Sequence, residues 1–192
     1  MNEAEEKKKK DGKFEKELLP HAGSLYNFAF YLTHDANDSE DLVQDTFYKA
    51  YRFIEGYQDG TNAKAWLFQI LKNSFVNEYR RRKNQPNSVE MDVVAQTHDS
   101  EDASTTVGSL DPRQEFFKNL MSDQVTEAVN SLPVDFRSTL LLCDVEEFSY
   151  EEISSIMAVP IGTVRSRLNR ARNMLKEKLR SYAASVGIKE KR

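Results

Sequence analysis

Apolar residues in the first half of the chain recur at the spacing of helix faces. One stripe is formed by Val43, Phe47, Ala50 and Ile54. A second stripe is formed by Leu67, Leu71, Phe75 and Tyr79. Because positions three or four residues apart lie on one side of an α-helix, the pattern predicts two amphipathic helices. Asp38 or Ser39 can cap the first of them, and a loop at 56–62 separates it from the second.

The helical pattern stops between residues 84 and 110, where the chain is polar, acidic and poor in aromatic residues. That composition favours a linker over a packed segment. Beyond it, Asp111 and Pro112 are typical of a helix start, the run from Ser149 to Glu152 matches a capping box, and Pro160 opens a long final helix. The chain is therefore predicted to be all-α, with two small helical domains joined by a flexible acidic linker.

The predicted boundaries run along the chain in five parts. They are a disordered charged tail at 1–13, a first domain at 14–84, the acidic linker at 85–111, a second domain at 112–184 and a tail at 185–192. The 192 residues suffice for two small domains. The single cysteine, Cys143, excludes an internal disulfide and fits a reducing cytosol. No apolar run reaches the ~20 residues that span a bilayer, so a cytoplasmic protein is expected.

Charge is distributed unevenly along the chain, whose formal net charge is −4. Residues 160–180 carry seven basic side chains and one acidic one, whereas residues 85–115 carry seven acidic side chains and one basic one. The acidic middle segment therefore offsets the basic C-terminal segment in the net charge of the chain. A surface that binds nucleic acid is compatible with this overall charge.

The basic end has the pattern of a helix-turn-helix. A short capped helix at 150–157 is followed by a turn and by a second, basic helix, on which Val164, Leu168, Ala171 and Leu175 form the buried stripe. Arg165, Ser166, Asn169 and Arg170 point elsewhere. Arginine can read guanine and asparagine can read adenine in the major groove. A solvated amphipathic helix with arginines on its wet side is the simpler alternative.

The sequence LPVDFRSTLLLCDVEEFSYEEISSIMAVPIGTVRSRLNRARNML resembles region 4 of the extracytoplasmic-function sigma factors, the smallest members of the sigma-70 family. The resemblance implies a surface that reads the −35 promoter element. Its residues would be Gly162, Thr163, Arg165, Ser166, Arg167, Asn169 and Arg170, with the first two close to the DNA backbone. The chain departs from the family pattern at Ala158, where a turn glycine is common, at Cys143 and at Asn169.

The segment DSEDLVQDTFYKAYRF is similar to region 2.2 of the same family. Asp41, Gln44 and Asp45 fall on one side of the predicted helix. The resemblance implies that this side docks on the coiled coil of the polymerase β′ subunit. A solvated acidic surface without a partner is the alternative.

The segment AKAWLFQILKNSFVNEYRRRK resembles regions 2.3 and 2.4, which melt and read the −10 element. The implied readers are Tyr57, Trp66, Asn73, Asn77, Arg80 and Arg81. Asparagine offers a donor and an acceptor to a base edge, and an aromatic ring can stack on an unpaired base. Trp66 is equally compatible with a core position, and Tyr57 with an ordinary loop aromatic.

Together the two resemblances imply an alternative sigma factor that initiates transcription. Its implied partners are core RNA polymerase, through the β′ coiled coil and the β flap, promoter DNA and an anti-sigma factor. No catalytic residues, metal ligands or cofactor are expected, because the chain has no phosphate loop, metalloprotease or hydrolase motif. A stand-alone helix-turn-helix regulator, which would dimerise on duplex operators, is the alternative function.

Overall fold

A computed structural model of the chain describes residues 3–58, 61–83 and 123–187. These residues form helices and turns, without a β-strand in the described ranges. The α-helices are α1 (Glu3–Lys13), α2 (Ala22–Thr33), α3 (Ala36–Arg52), α4 (Ala63–Lys83), α5 (Asp123–Asn130), α6 (Val134–Asp144), α7 (Tyr150–Met157), α8 (Ile161–Lys178) and α9 (Arg180–Ser185). The predicted all-α fold is confirmed. The linker 85–111 and residues 112–122 lie outside the described residues.

Helices α2, α3 and α4 pack together around the core of the N-terminal domain. Leu25 and Phe28 of α2 lie against Leu67, Phe68 and Leu71 of α4, and all five are fully buried. Removing such side chains from water is the main favourable contribution to folding, roughly 1.5–3 kcal/mol for each large apolar side chain.

Helix α3 begins three residues earlier than the sequence suggests. Its cap is Asp35, whose carboxylate accepts a hydrogen bond from the amide of Asp38 at 2.9 Å. The prediction of Asp38 or Ser39 as cap is therefore wrong. Ser39 is instead buried, and its hydroxyl bonds the side chain of Thr33. Polar side chains thus join α3 to the end of α2.

The buried side of α3 is also rotated relative to the predicted stripe. Its fully buried residues are Ser39, Leu42, Thr46 and Ala50. Val43 and Phe47 are only partly buried, because they lie at the edge of the core, where Phe47 meets Phe14 edge to face. Thr46 tolerates burial because its hydroxyl donates to the carbonyl of Leu42 at 2.7 Å.

The N-terminal segment is helical rather than a disordered tail. Asp11 accepts a hydrogen bond from the hydroxyl of Tyr51 at 2.7 Å, and the ammonium of Lys13 donates to the carbonyl of Tyr57 at 2.9 Å. Phe14 adds an edge-to-face contact with Tyr51. This helix has no apolar stripe from which the sequence could predict it. It is attached to the domain by single polar contacts and by one aromatic ring.

The C-terminal domain is built from α5 to α9, with α6 and α7 packed on α8. Val164, Leu168 and Ala171 of α8 are fully buried, as the stripe predicts, whereas Leu175 is partly buried. The capping box at the start of α7 is confirmed, with Ser149 and Glu152 bonding each other's backbone amides. Pro160 precedes the first residue of α8.

The two domains share one hydrophobic core. Helix α4 packs on α7, and α2 packs on α6. Phe68 of α4 contacts Phe148, which precedes α7, with ring centroids 5.1 Å apart. The sequence pattern predicts two joined domains but contains no sign of this packing. In the described ranges, none of the helices has the length and apolarity needed to cross a membrane.

Candidate nucleic-acid and polymerase interfaces

A tight turn at 158–160 sets α8 at an angle to α7. The amide of Val159 donates to the carbonyl of Ser154 at 3.1 Å, and the Ser154 hydroxyl donates back to the carbonyl of Val159 at 2.6 Å. Ala158 closes α7 in the left-handed conformation, with φ +53°. These bonds give α7 and α8 the helix-turn-helix arrangement that the sequence predicts.

One side of α8 is free to meet a partner. Arg165, Ser166, Asn169 and Arg170 are all exposed, opposite the buried stripe of the same helix. The sequence analysis did not single out Asn173, whose side-chain amide donates to the side-chain oxygen Oδ1 of Asn169 at 3.0 Å. Its spacing of four residues from Asn169 was the available signal. The exposed side therefore carries arginines and an oriented amide, the groups that read base edges.

The N-terminus of α8 is open. Gly162 is exposed, and a Cβ built there would meet no atom within 4 Å, so packing does not require a glycine. Thr163 is half-buried, and its amide bonds the carbonyl of Pro160 at 2.8 Å. Exposed amides at a helix N-terminus favour anions such as phosphate. The open space at Gly162 leaves room for a DNA backbone.

Arg167 does not join this exposed side. Its guanidinium forms an ion pair with Asp135 of α6 at 2.8 Å, and its side chain is largely buried. Arg172 is likewise paired with Asp144 at 2.6 Å, and that carboxylate raises the pKa of Arg172. Part of the basic charge therefore holds α8 against α6. The Arg167 guanidinium is thus directed toward α6, and its role among the −35 readers stays a prediction.

Helix α4 presents a second polar side. Asn73 and Asn77 are exposed one helical turn apart, and Arg80 and Arg81 are exposed beyond them. Arg81 lies 3.9 Å from Glu78 across the helix surface, a loose ion pair that leaves the guanidinium accessible. Two asparagines in a helix interior reduce helix propensity and gain nothing from burial here. Their exposure agrees with a role in contacting a partner.

Tyr57 is not presented to solvent. Its ring is 6% exposed and stacks on Trp66 with centroids 5.1 Å apart. Its hydroxyl donates to the carbonyl of Thr61 at 2.8 Å, and the ammonium of Lys13 lies 4.7 Å from the ring centroid. Tyr57 therefore supports the loop and the Trp66 ring instead of offering a free surface to a base. Trp66 is half-buried. Its exposure therefore lies between that of a core residue and that of a ring free to stack on a base, the two roles that the sequence left open.

The exposed side of α3 carries the predicted docking residues. Asp41 and Gln44 are exposed, whereas Asp45 is partly buried and its carboxylate is bound by Lys49 at 2.6 Å. The same side continues into two aromatic residues that the sequence analysis did not single out. Tyr48 is 66% exposed and lies four residues after Gln44, and Phe53 is 58% exposed just beyond the helix end. Exposed aromatic rings beside acidic groups are typical of a protein-binding surface.

Burial shifts the pKa of two histidines and of the cysteine in the described ranges. Within the described ranges, no group of three or more histidine, cysteine or acidic side chains is placed to hold a metal. Burial lowers the pKa of both His21 and His34. Burial, followed by the hydrogen bond to Asp144, raises the pKa of the Cys143 thiol. A raised pKa reduces the thiolate fraction, so Cys143 resembles a small packed residue more than a reactive one.

Family comparisons match both halves of the chain. The model of sigma-70 region 2 covers residues 19–85, and the model of sigma-70 region 4 covers residues 122–175. The first contains the exposed sides of α3 and α4, and the second contains α7 and α8. The chain therefore belongs to the sigma-70 family.

Curated relatives narrow the assignment. The chain is 34% identical to the ECF RNA polymerase sigma factor SigE of Mycolicibacterium smegmatis over 166 residues, which are 86% of this chain and 61% of that protein. It is 34% identical to the ECF RNA polymerase sigma factor EcfG of Rhodopseudomonas palustris, over 83% of this chain and 81% of the relative. Within the sigma-70 family it belongs to the extracytoplasmic-function (ECF) RNA polymerase sigma factors. These are transcription initiation factors and not enzymes.

Solved structures share the fold. The sigma factor RpoE of Bartonella quintana, in complex with the anti-sigma factor NepR, matches with a TM-score of 0.65 and 34% identity over 88% of this chain and 97% of that one. CnrH, in complex with the cytosolic domain of CnrY, matches with a TM-score of 0.53 and 21% identity over 84% of each chain. The second match supports the fold alone.

Proposed function

We propose that this chain docks on core RNA polymerase and directs it to promoters by contacting a −10 and a −35 element. The observation that carries the proposal is that each domain exposes one polar helix side with amide and guanidinium groups, on α4 and on α8, while the apolar sides of both helices are buried. A protein that reads one duplex site needs only one such side. Two of them on a member of this family fit two promoter elements.

In the C-terminal domain, α8 is proposed to enter the major groove at the −35 element. Arg165 and Arg170 would bond guanine edges, and Ser166 and Asn169 would offer both donors and acceptors. Gly162 and Thr163 lie at the helix start, where exposed amides suit a phosphate. Arg167 contributes indirectly, because its ion pair with Asp135 fixes α8 on α6.

In the N-terminal domain, Asn73 and Asn77 are proposed to contact bases of the −10 element, with Arg80 and Arg81 on its phosphates. Trp66 lies on the same side of α4 as these asparagines, and the ring of Tyr57 stacks against it. Binding unpaired bases lets favourable contacts with the single strand offset the cost of opening the duplex, without ATP.

Polymerase docking is proposed to use the exposed side of α3. Asp41, Gln44 and Asp45 would meet the β′ coiled coil, with the exposed ring of Tyr48 adding an apolar contact. The C-terminal domain would meet the β flap, in line with the family. The proposal places the chain in the cytoplasm, where the polymerase and the DNA are.

An anti-sigma factor is proposed as the inhibitory partner. The structural relative from Bartonella quintana was solved with the anti-sigma factor NepR, and it covers most of this chain. An inhibitor of this kind would act by covering the polymerase-facing and DNA-facing surfaces. Its removal would then be the event that starts transcription.

In vitro transcription tests the proposed function. Core RNA polymerase is combined with the purified chain on sheared genomic DNA, and transcript 5′ ends are mapped. We expect new start sites preceded by a shared pair of elements near −10 and −35. Core polymerase alone is the control. If no new starts form while the chain is folded and binds duplex DNA as a dimer, the stand-alone regulator is the better description.

A further inference from the structure

Helix α1 carries a cluster of lysines that the proposed promoter contacts do not use. From Lys7 onward the helix holds five lysines and one aspartate. Lys7, Lys8 and Lys9 are exposed, whereas Lys10 and Lys13 are partly buried. The helix lies before residue 19, where the match to sigma-70 region 2 begins. The family match therefore assigns no role to these side chains.

Contacts with aromatic rings hold α1 beside Trp66. The ammonium of Lys13 donates to the carbonyl of Tyr57 at 2.9 Å and lies 4.7 Å from the ring centroid of the same residue. The Tyr57 ring in turn stacks on Trp66, in the first turn of α4. The ammonium of Lys10 lies 4.7 Å from the ring centroid of Tyr51. Because aromatic rings attract cations, these contacts fix α1 next to the start of α4.

Complementing the helix dipole does not account for all of these lysines. Cations stabilise the last turn of a helix, and Lys10 and Lys13 occupy that turn of α1. Lys7, Lys8 and Lys9 precede it, where the dipole gives a cation little stabilisation. Their exposure leaves three neighbouring ammonium groups available to a partner with negative charge.

The lysines of α1 lie near one end of the polar side of α4. This side begins with Trp66, continues through Asn73 and Asn77, and ends with Arg80 and Arg81. From Trp66 to Arg80 the helix rises about 21 Å at 1.5 Å per residue. One DNA strand covers that length with about six bases at 3.4 Å per base. The residues proposed to contact −10 bases are therefore flanked by basic groups at both ends.

The backbone of DNA is the partner that these three lysines fit best. Lysine binds phosphate as a compact point charge and does not need a fixed geometry. A partner that complements Asp41 and Asp45 on the docking side of α3 carries positive charge and would repel the lysines. Residues 7–9 rise about 3 Å along α1 at 1.5 Å per residue, and their long side chains extend that reach. They can therefore serve two successive phosphates of one strand.

We propose that Lys7, Lys8 and Lys9 bind two backbone phosphates of promoter DNA beside the −10 element, beyond the Trp66 end of α4. The proposal rests on the proposed function, since it requires that α4 contacts the −10 element. These lysines add affinity without sequence preference, because phosphates are the same at every position. They extend the DNA-binding surface of the N-terminal domain to a helix outside region 2.

Charge removal combined with a salt titration tests the proposal. The triple variant Lys7→Gln, Lys8→Gln and Lys9→Gln keeps helix propensity nearly unchanged. Assembled with core polymerase, it should bind promoter DNA at least about tenfold more weakly at about 0.1 M salt. The slope of log affinity against log salt should fall in magnitude by roughly 1.4–1.8, the value for two phosphates.

Two controls accompany the triple variant. Lys176→Gln, Lys178→Gln and Arg180→Gln together remove three exposed cations at and beyond the end of α8, away from its proposed −35 contacts. This control should leave the promoter affinity nearly unchanged, and an equal loss would make the effect one of total charge and overturn the proposal. Circular dichroism of each variant confirms that its helices are retained.

Neutral linkages in the DNA locate the contact. Promoter DNAs carry a pair of uncharged methylphosphonate linkages at successive positions on each flank of the −10 element. One pair, on the flank at the Trp66 end, should weaken binding by the parent chain and have little effect on the triple lysine variant. Pairs at the flank that faces Arg80 and Arg81 should weaken both chains equally. If every pair weakens both chains equally, α1 does not bind these phosphates and the proposal is overturned.

The remaining outcomes separate this proposal from the proposed function. Weaker assembly of the triple lysine variant with core polymerase in the absence of DNA assigns the lysines to a protein partner and overturns the proposal. Unchanged promoter affinity and salt slope also overturn it, and both results leave the proposed function intact. A parent chain that directs core polymerase to no promoter contradicts the proposed function, and the phosphate contact falls with it.

Discussion

Ala158 holds an unfavourable backbone conformation at the turn of the helix-turn-helix. Its φ and ψ of 53° and 47° lie in the left-handed region, which costs an L-residue roughly 1–2 kcal/mol because Cβ approaches the next carbonyl. Family members often carry glycine at this place, and the structure explains why. The alanine persists because the bonds between Ser154 and Val159 hold the turn.

Replacing Ala158 by glycine should therefore stabilise the fold. For Ala158→Gly we expect an increase of about 1 kcal/mol in the free energy of unfolding, since the steric cost is removed at the expense of some unfolded-state entropy. Urea denaturation measures it. The matched control is Ala184→Gly in α9, an exposed helical position where glycine should destabilise by roughly 0.5–1 kcal/mol. Equal destabilisation by both substitutions would contradict the strain argument.

Substitutions of Arg170 and Arg167 test the proposed base contact separately from packing. Arg170→Ala should weaken binding to the preferred −35 element by about 1–3 kcal/mol and relax sequence preference there. Arg167→Ala should leave preference unchanged and lower fold stability by up to about 1 kcal/mol, because it removes the ion pair with Asp135. Competition binding with mutated −35 elements measures both. An equal loss on every sequence would make Arg170 a phosphate contact.

At the scale of elements, each helix has a buried side that positions it and an exposed side available to a partner. Helix α3 is attached through Leu42, Thr46 and Ala50 and exposes Asp41, Gln44 and Tyr48. Helix α8 is attached through its apolar stripe and its ion pairs to α6. Because exposed residues and packing residues alternate along the same helix, changes on the exposed side should alter partner affinity with little effect on folding.

Charge reversal on α3 tests whether its exposed side can be changed with little effect on folding. Asp41→Lys should weaken binding to core polymerase at least about tenfold, or about 1.4 kcal/mol, while leaving the unfolding midpoint nearly unchanged. Adding Asp45→Lys should strengthen the effect, with a small stability loss of about 0.3–0.5 kcal/mol from the broken pair with Lys49. Glu127→Lys, which changes an exposed acidic residue of α5 in the other domain, is the control. Equal weakening by Glu127→Lys would indicate a general charge effect instead of a docking surface.

At the scale of the whole molecule, the two domains combine into one body with a common core. The exposed sides of α3, α4 and α8 remain accessible in this arrangement, while Phe68 and Phe148 are buried where the domains meet. A substitution that removes one of these rings is therefore expected to affect the packing of both domains.

Much of the fold was predictable from the sequence because it depends on local rules. Apolar spacing identified α3, α4 and α8, and the capping box identified the start of α7. The resemblance named residues of α4 and α8 that are exposed in the structure, among them Asn73, Asn77, Arg165 and Arg170. Each apolar stripe spans about three helical turns, and the capping box is shorter still, so these signals are local in the chain. Side chains three or four residues apart share a helix side whatever the rest of the molecule does.

Only the tertiary structure decided which neighbour covers each side. The sequence could not show that Tyr57 stacks beneath Trp66, that Arg167 is held by Asp135, that α1 packs through Asp11 and Phe14, or that the domains close on each other. Lys64 and Glu146 are 82 residues apart in the chain. A contact between such distant residues leaves no periodic trace, because periodicity records that one side of a helix is buried and not what buries it.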